Sequence, residues 1–173
     1  MIYDVTVIGA GAIGTSVAYH LCQKGFSVAL IDHGDIANGS SSHCDAVALI
    51  SDKAPGLDTQ MGYASIQHYG ELAKTFSYDF EYDRKGCLYV CETEEEYAAA
   101  SAYAKRQASD GYDMHMVDAQ TLQEMEPFLA KDLLGGIWTP GDIAVCPYKV
   151  CFAFVEEGKK QGLQVYPYTH ISR

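Results

Sequence analysis

Along the first part of the chain the spacing of hydrophobic positions switches from strand-like to helix-like and back. Residues 2–8, Ile-Tyr-Asp-Val-Thr-Val-Ile, form a short β-branched run ended by Gly9 and predict a buried strand. Residues 12–24 predict a helix, with Ile13, Val17 and Leu21 on one stripe and Ala18 a turn aside. Gly25 stands where a helix C-cap belongs. Residues 27–31, Ser-Val-Ala-Leu-Ile, predict a second strand closed by Asp32. Together these segments make a βαβ unit, for which parallel pairing and a right-handed crossover follow.

Beyond Asp32 the periodicity lapses. Residues 33–56 are rich in Gly, Ser, Asp and Pro and predict a long loop with a short extended piece at 46–50. Residues 57–76 predict a helix with Leu57, Met61, Ala64, Tyr69, Leu72 and Phe76 on one broad face. Short strands are expected at 80–82 and 86–91. Thr93 with Glu96 three residues on matches a capping box, opening an alanine-rich helix to about Ser109. A strand at 114–117 and a brief helix from Asp118 follow, the helix ending before Pro127 because the residue before proline avoids the α region. Residues 136–139 read as extended. The last helix runs from Pro147 to Gln161, with proline at its start and Gly162 past its end, and a strand at 163–168 closes the pattern. Three strands, 3–8, 27–31 and 163–168, are assigned to one parallel sheet.

The strand–helix junction carries the chemistry. Gly9-Ala10-Gly11-Ala12-Ile13-Gly14 is a G-x-G-x-x-G between a predicted strand and a predicted helix. The first glycine permits a tight turn, the second lets a pyrophosphate approach the backbone, and the third lets helix and strand pack closely. Asp32, 18 residues past Gly14, stands where an acid bonds the hydroxyls of an adenosine ribose. An acid there disfavours a 2′-phosphate, and the motif leaves NAD and FAD both open. In the loop that follows, Ser40-Ser41-Ser42 offers three successive hydroxyls to phosphate oxygens.

Composition narrows the setting. With 48% hydrophobic and 20% charged residues the chain reads as globular. A net charge of -11 argues against nucleic acid and anionic membranes as partners, since both require basic patches. No apolar run reaches the ~20 residues of a membrane span, and the first one lacks the basic flank of a secretory leader. The six cysteines contain no Cys-x-x-Cys pair, so no metal site is expected, and their usage points to a reducing, cytoplasmic compartment with mostly buried thiols, Cys44 included. His43 has two readings, a loop histidine making one backbone hydrogen bond, which is the one expected, and a residue over the cofactor or near a covalent attachment point.

The stretch from Val5 to Leu49 resembles the FAD-dependent amine oxidoreductases of the D-amino-acid oxidase superfamily, which includes glycine oxidase, sarcosine oxidase and the proline, opine and hydroxyproline dehydrogenase subunits. Weaker matches follow in the family's order: Lys85-Gly86-Cys87-Leu88-Tyr89-Val90, Glu126-Pro127, Gly135-Gly136-Ile137 through Cys146-Pro147, and Gly162-Leu163-Gln164-Val165. The resemblance implies an α/β, Rossmann-type FAD-binding domain with part of an α+β substrate domain inserted. It implies that residues 1–76 and 141–173 form the FAD-binding domain, incomplete here, and that 77–140 begin a substrate-binding domain. Relatives continue for about as long again, so the chain is identified as an N-terminal half.

By position, the resemblance places Gly9, Gly11, Ala12, Ile13 and Gly14 on the pyrophosphate, and Asp32 with His33 on the adenosine ribose. It places Ser41 and Ser42 on the diphosphate or its neighbouring ribose, Ala46, Val47 and Ala48 beside the isoalloxazine, and His170 at the adenine side. The family often has Gly or Asn in the flavin-side loop, where this chain has Ala46 and Val47. The implied reaction is oxidation of a C–N bond in a small amino acid or secondary amine by hydride transfer to flavin N5. The implied partners are that substrate and either a partner subunit or a second copy of the chain. No catalytic side chain is singled out. Two other readings stand beside this one: an NAD-dependent Rossmann dehydrogenase, and a nucleotide-binding half-protein inactive without a C-terminal half or partner.

Overall fold

The computed structural model describes residues 2–172. Its elements run β1 (Val5–Ile8), α1 (Ala12–Gln23), β2 (Val28–Ile31), a 3₁₀ turn (Ser40–Ser42), β3 (Val47–Ala48), α2 (Leu57–Thr75) and β4 (Cys87–Cys91). They continue through α3 (Glu94–Ser109), β5 (His115–Asp118), α4 (Ala119–Met125), β6 (Gly135–Thr139), β7 (Ile143–Ala144), α5 (Pro147–Lys159) and β8 (Gln164–Tyr166). The chain divides into two compact units. The first holds residues up to Ala46, Gly70–Tyr82 and the stretch from Val145 onward, and the second holds Val47–Tyr69 and Asp83–Ala144. The division falls within α2, between residues 69 and 70, whereas the sequence reading kept 1–76 together.

The first unit is built on a parallel sheet of order β1-β2-β8. Val5 pairs with Val28 and Ile8 with Ile31, while Leu30 pairs with Val165. All three strands expected in one sheet are found there. Burial departs from expectation at the edge strand. β1 has one neighbour, and Ile8 is 70% exposed, so the strand is half-buried instead of enclosed.

The buried face of α1 also differs from the predicted stripe. Ile13 is 83% exposed and Val17 44%, while Thr15, Ala18, Tyr19 and Cys22 are buried. The reason is packing distance. α1 lies along α5, and the small side chains of Ala18 and Cys22 let it settle into a core with Val28, Leu30, Val155 and Leu163. Aromatic contacts add to that interface, with Tyr19 edge-on to Phe76 and beside Phe154. Glu157 of α5 accepts hydrogen bonds from the Ser77 N–H and hydroxyl, both at 2.8 Å, and pairs with Lys160, tying the 70–82 segment to the helix.

The second unit has an antiparallel sheet of order β4-β6-β5, with Leu88 opposite Trp138 and Met116 opposite Ile137. α3 packs on it through Ala100 and Ala104, against Cys91, Met114 and Ile137. The capping box is present: the Thr93 hydroxyl accepts the Glu96 N–H, and the Glu96 carboxylate accepts the Thr93 N–H. β3 and β7 form a separate antiparallel pair. Asp142, fully buried, accepts the Ile50 N–H at 2.7 Å and the Ser51 hydroxyl at 2.8 Å, holding residues 50–51 against the β6–β7 turn. The strand expected at 80–82 does not form; Asp83 makes an isolated bridge to Ala144 instead. Among the described residues no helix is long and apolar enough to cross a membrane.

Candidate functional site: a glycine turn at the end of the parallel sheet

The junction of β1 and α1 is shaped by three glycines with separable physical roles. Gly9 has φ +102°, a left-handed conformation that L side chains rarely adopt. A Cβ at Gly14 would stand 1.8 Å from the Gly9 carbonyl oxygen, so helix and strand meet there only because the side chain is missing. A Cβ at Gly11 would meet the Ser41 hydroxyl at 2.9 Å. The third-glycine role is as read from the motif. The second glycine, assigned to pyrophosphate approach, also makes room for a loop serine.

Asp32 organises the turn. Its Oδ2 accepts the Ala10 N–H at 2.7 Å and its Oδ1 the Gly34 N–H at 2.8 Å. Burial by itself would push its pKa up, but the two N–H donors and His33 outweigh it and hold the carboxyl below the ordinary aspartate range. His33 Nδ1 lies 3.2 Å from Oδ1. A carboxylate offers about four lone-pair positions, so these bonds leave capacity for an added hydroxyl donor. Ser41 is drawn to the helix start, where its Oγ accepts the Ala12 N–H at 2.9 Å. The hydroxyls of Ser41 and Thr15 also face the thiol of Cys151, which burial pushes up in pKa and keeps protonated.

A cavity of about 280 Å³ opens at the carboxyl ends of the parallel strands, lined by Ile8, Gly9, Asp32 and His33 on one side and by Thr169, His170 and Ile171 on the other. The His33 and His170 rings are 5.9 Å apart. The tail is stitched in place by backbone bonds, Thr169 N–H to the Asp32 carbonyl at 2.8 Å and Tyr168 N–H to the Gly34 carbonyl at 3.0 Å. A crevice at the carboxyl ends of parallel strands, beside a helix N-terminus with orphan N–H groups, is where open α/β sheets bind nucleotides. The side chains fit that use: a turn with glycine at positions 9, 11 and 14, an acid at the strand end, and neither lysine nor arginine among the lining residues.

Of the sequence-predicted site residues, Gly9, Asp32, His33 and His170 line this one cavity, and Gly11, Ala12, Ile13 and Gly14 form the adjoining helix start. Ser41 joins them through Ala12. Ser42 turns away, donating to the Gly39 carbonyl at 3.1 Å and meeting His43 Nδ1 at 3.0 Å. His43 makes the expected backbone contact, to the Gly39 carbonyl at 2.9 Å. Cys44, read as buried, is exposed. Ala46 has φ +66°, the backbone form glycine would favour. Val47 and Ala48 belong to the second unit, as β3. Sequence reasoning missed Ile8, Ile31, Thr169 and Ile171 on the cavity wall, and no residue-type signal would have found them.

Comparison with known proteins agrees on one family. The profile described as FAD dependent oxidoreductase (DAO) matches residues 4–173. Glycine oxidase from Bacillus licheniformis is 29% identical over 98% of this chain and 46% of its own length. The mitochondrial pyruvate dehydrogenase phosphatase regulatory subunit of Mus musculus is 26% identical over 97% of this chain and 19% of its own length. The crystal structure of glycine oxidase from Bacillus cereus shares the fold with a TM-score of 0.86, at 24% identity over 98% of this chain and 48% of that one. The chain thus spans less than half the length of these relatives.

Proposed function

The chain belongs to the FAD dependent oxidoreductase family, and on that premise we propose that it supplies the dinucleotide-binding half of an enzyme that oxidises the C–N bond of a small amino acid or secondary amine. FAD is the cofactor of that family, which sets aside the nicotinamide reading. The observation that carries the proposal is the glycine turn locked to Asp32 beside an open cavity.

In this reading the N–H groups of Gly11, Ile13 and Gly14 would face the diphosphate, helped by the positive end of the α1 dipole, while the Ala12 N–H holds Ser41 in place. Asp32 and His33 would take the adenosine ribose, and His170 would stand at the adenine. The Ser41 hydroxyl, accepting from Ala12, would turn its own proton toward a phosphate oxygen, and Ser42 would have to leave the Gly39 carbonyl to join it. Ala46, Val47 and Ala48 would offer main chain to the flavin ring. Flavin held there would supply the hydride acceptor for C–N oxidation, a chemistry that belongs to the cofactor. The chain's own contribution is to hold and orient the dinucleotide. The substrate class proposed takes in D-amino acids, glycine, sarcosine, proline and hydroxyproline, and of these the glycine oxidase relatives support glycine. The mouse relative, a regulatory subunit, favours a second, regulatory reading: a nucleotide-binding half inactive without a C-terminal half or a partner.

Absorption spectroscopy after reconstitution with FAD and desalting tests the binding step. A retained flavin band is expected, and its complete loss on desalting would overturn the proposal. Bleaching of that band by an amine of the class under anaerobic conditions separates the enzyme from the regulatory reading.

A further inference from the structure

The second unit carries a cavity that the dinucleotide reading does not use. It measures about 280 Å³ and lies between α3, β4, β6 and the loop at residues 51–52. Its floor is apolar, formed by Ala99, Ala100 and Ile137. Two tyrosines line it. Tyr103 is fixed, because its hydroxyl donates to the Lys53 carbonyl at 2.7 Å and accepts from Gln107 Nε2 at 2.8 Å, so only its ring is available. Tyr89 rises from the edge strand β4 with half of its surface exposed. Two carboxylates, Asp52 and Glu96, complete the lining, and no cationic side chain is among the lining residues.

Both acids have acceptor capacity left. Glu96 is held by the N–H groups of Glu92 and Thr93 at 2.8 and 3.2 Å, and Asp52 pairs with Lys53 at 3.0 Å. Each carboxylate keeps lone pairs beyond these bonds. Aromatic rings attract cations through their quadrupole, an apolar floor suits alkyl groups, and Glu96 brings a negative charge held by N–H groups, while Asp52 shares its charge with Lys53. The net charge of -11 raises the local concentration of cations further. At about 30 Å³ per water molecule the space is on the scale of a choline-sized ion.

We propose that this cavity is a binding site for a small organic ammonium ion, formed within the second unit and independent of the dinucleotide turn. Choline is the probe, and its uncharged tert-butyl analogue is the control of equal shape. Titration of the 173-residue chain by saturation-transfer NMR or calorimetry reads both. Choline is expected to bind with a roughly millimolar Kd, and the neutral analogue at least about fivefold more weakly. Tyr89→Ala and Asp52→Asn are each expected to weaken choline about three- to fivefold with unchanged circular dichroism. Equal affinity for choline and its neutral analogue, or no choline binding, overturns the proposal. So does unaltered affinity in both folded variants. If Tyr89→Ala does not fold, the comparison of choline with its neutral analogue on the unaltered chain decides.

Discussion

Asp32 is the residue on which the turn depends, since one carboxylate satisfies two loop N–H groups across 22 and 2 residues of sequence. Replacing it with Ala leaves both donors without their partner and is expected to destabilise the chain by about 1–3 kcal/mol, read by urea unfolding. Flavin retention should be lost in the same variant. Because its folded pKa is lowered, the stability Asp32 confers is present above the unfolded value of about 3.9 and is lost as pH falls through the folded one. Asp142 behaves in the opposite sense. Burial, partly offset by the Ile50 and Ser51 donors, raises its pKa, so the folded chain holds the proton at pH values where the unfolded chain has released it. Stability then declines as pH rises from about 3.9 through the folded value. Asp142→Asn keeps an oxygen for the Ile50 N–H and removes the charge. Its stability relative to wild type should therefore grow between about pH 4 and neutrality, and a flat difference across that range would contradict the assignment.

At the scale of elements, the glycine with least room for a side chain is Gly14, where α1 crosses the end of β1. Gly14→Ala would drive a methyl into the Gly9 carbonyl, and neither backbone segment is free to move without disturbing the Asp32 bonds. The expected loss is roughly 1–3 kcal/mol or more, with weaker flavin retention, measured by thermal unfolding and by the desalting test. Thr93→Ala removes the N-cap of α3 and should cost about 1 kcal/mol without touching the dinucleotide site. Both sites were legible in sequence, because glycine spacing and the Thr93–Glu96 pair are local signals. The long helices and the parallel strands were legible for the same reason. The face of α1 was legible in part: Ala18 and Leu21 pack on the core as read, yet Ile13 and Val17 are exposed because close packing against α5 turns the helix toward Ala18 and Cys22. The two-residue strands β3 and β7 have no periodicity to read, and their pairing depends on contacts distant in sequence. The cavity wall at 169–171 comes from the same cause, a tail held by backbone bonds that carry no residue preference.

Over the whole molecule, the chain passes between its two units four times, at residues 46–47, 69–70, 82–83 and 144–145. One of these crossings lies inside α2, so melting either unit breaks a continuous helix that the other retains. This connectivity predicts coupled unfolding. The single tryptophan, Trp138, sits in β6 of the second unit and reports that unit alone. FAD binding at the turn acts on the first unit. At a free concentration about 100 times Kd it should stabilise what it binds by about 2.7 kcal/mol. If the units unfold as one, the Trp138 fluorescence transition shifts by the full amount although no flavin contact is proposed in β6. Trp138 fluorescence and far-UV circular dichroism should then give coincident urea transitions with and without FAD. A Trp138 transition that stays in place while the circular dichroism curve splits into two steps would show that the second unit folds without reference to the dinucleotide. Sequence relatives more than twice as long would then be joining separable parts, and the glycine turn would govern the stability of only the unit that contains it.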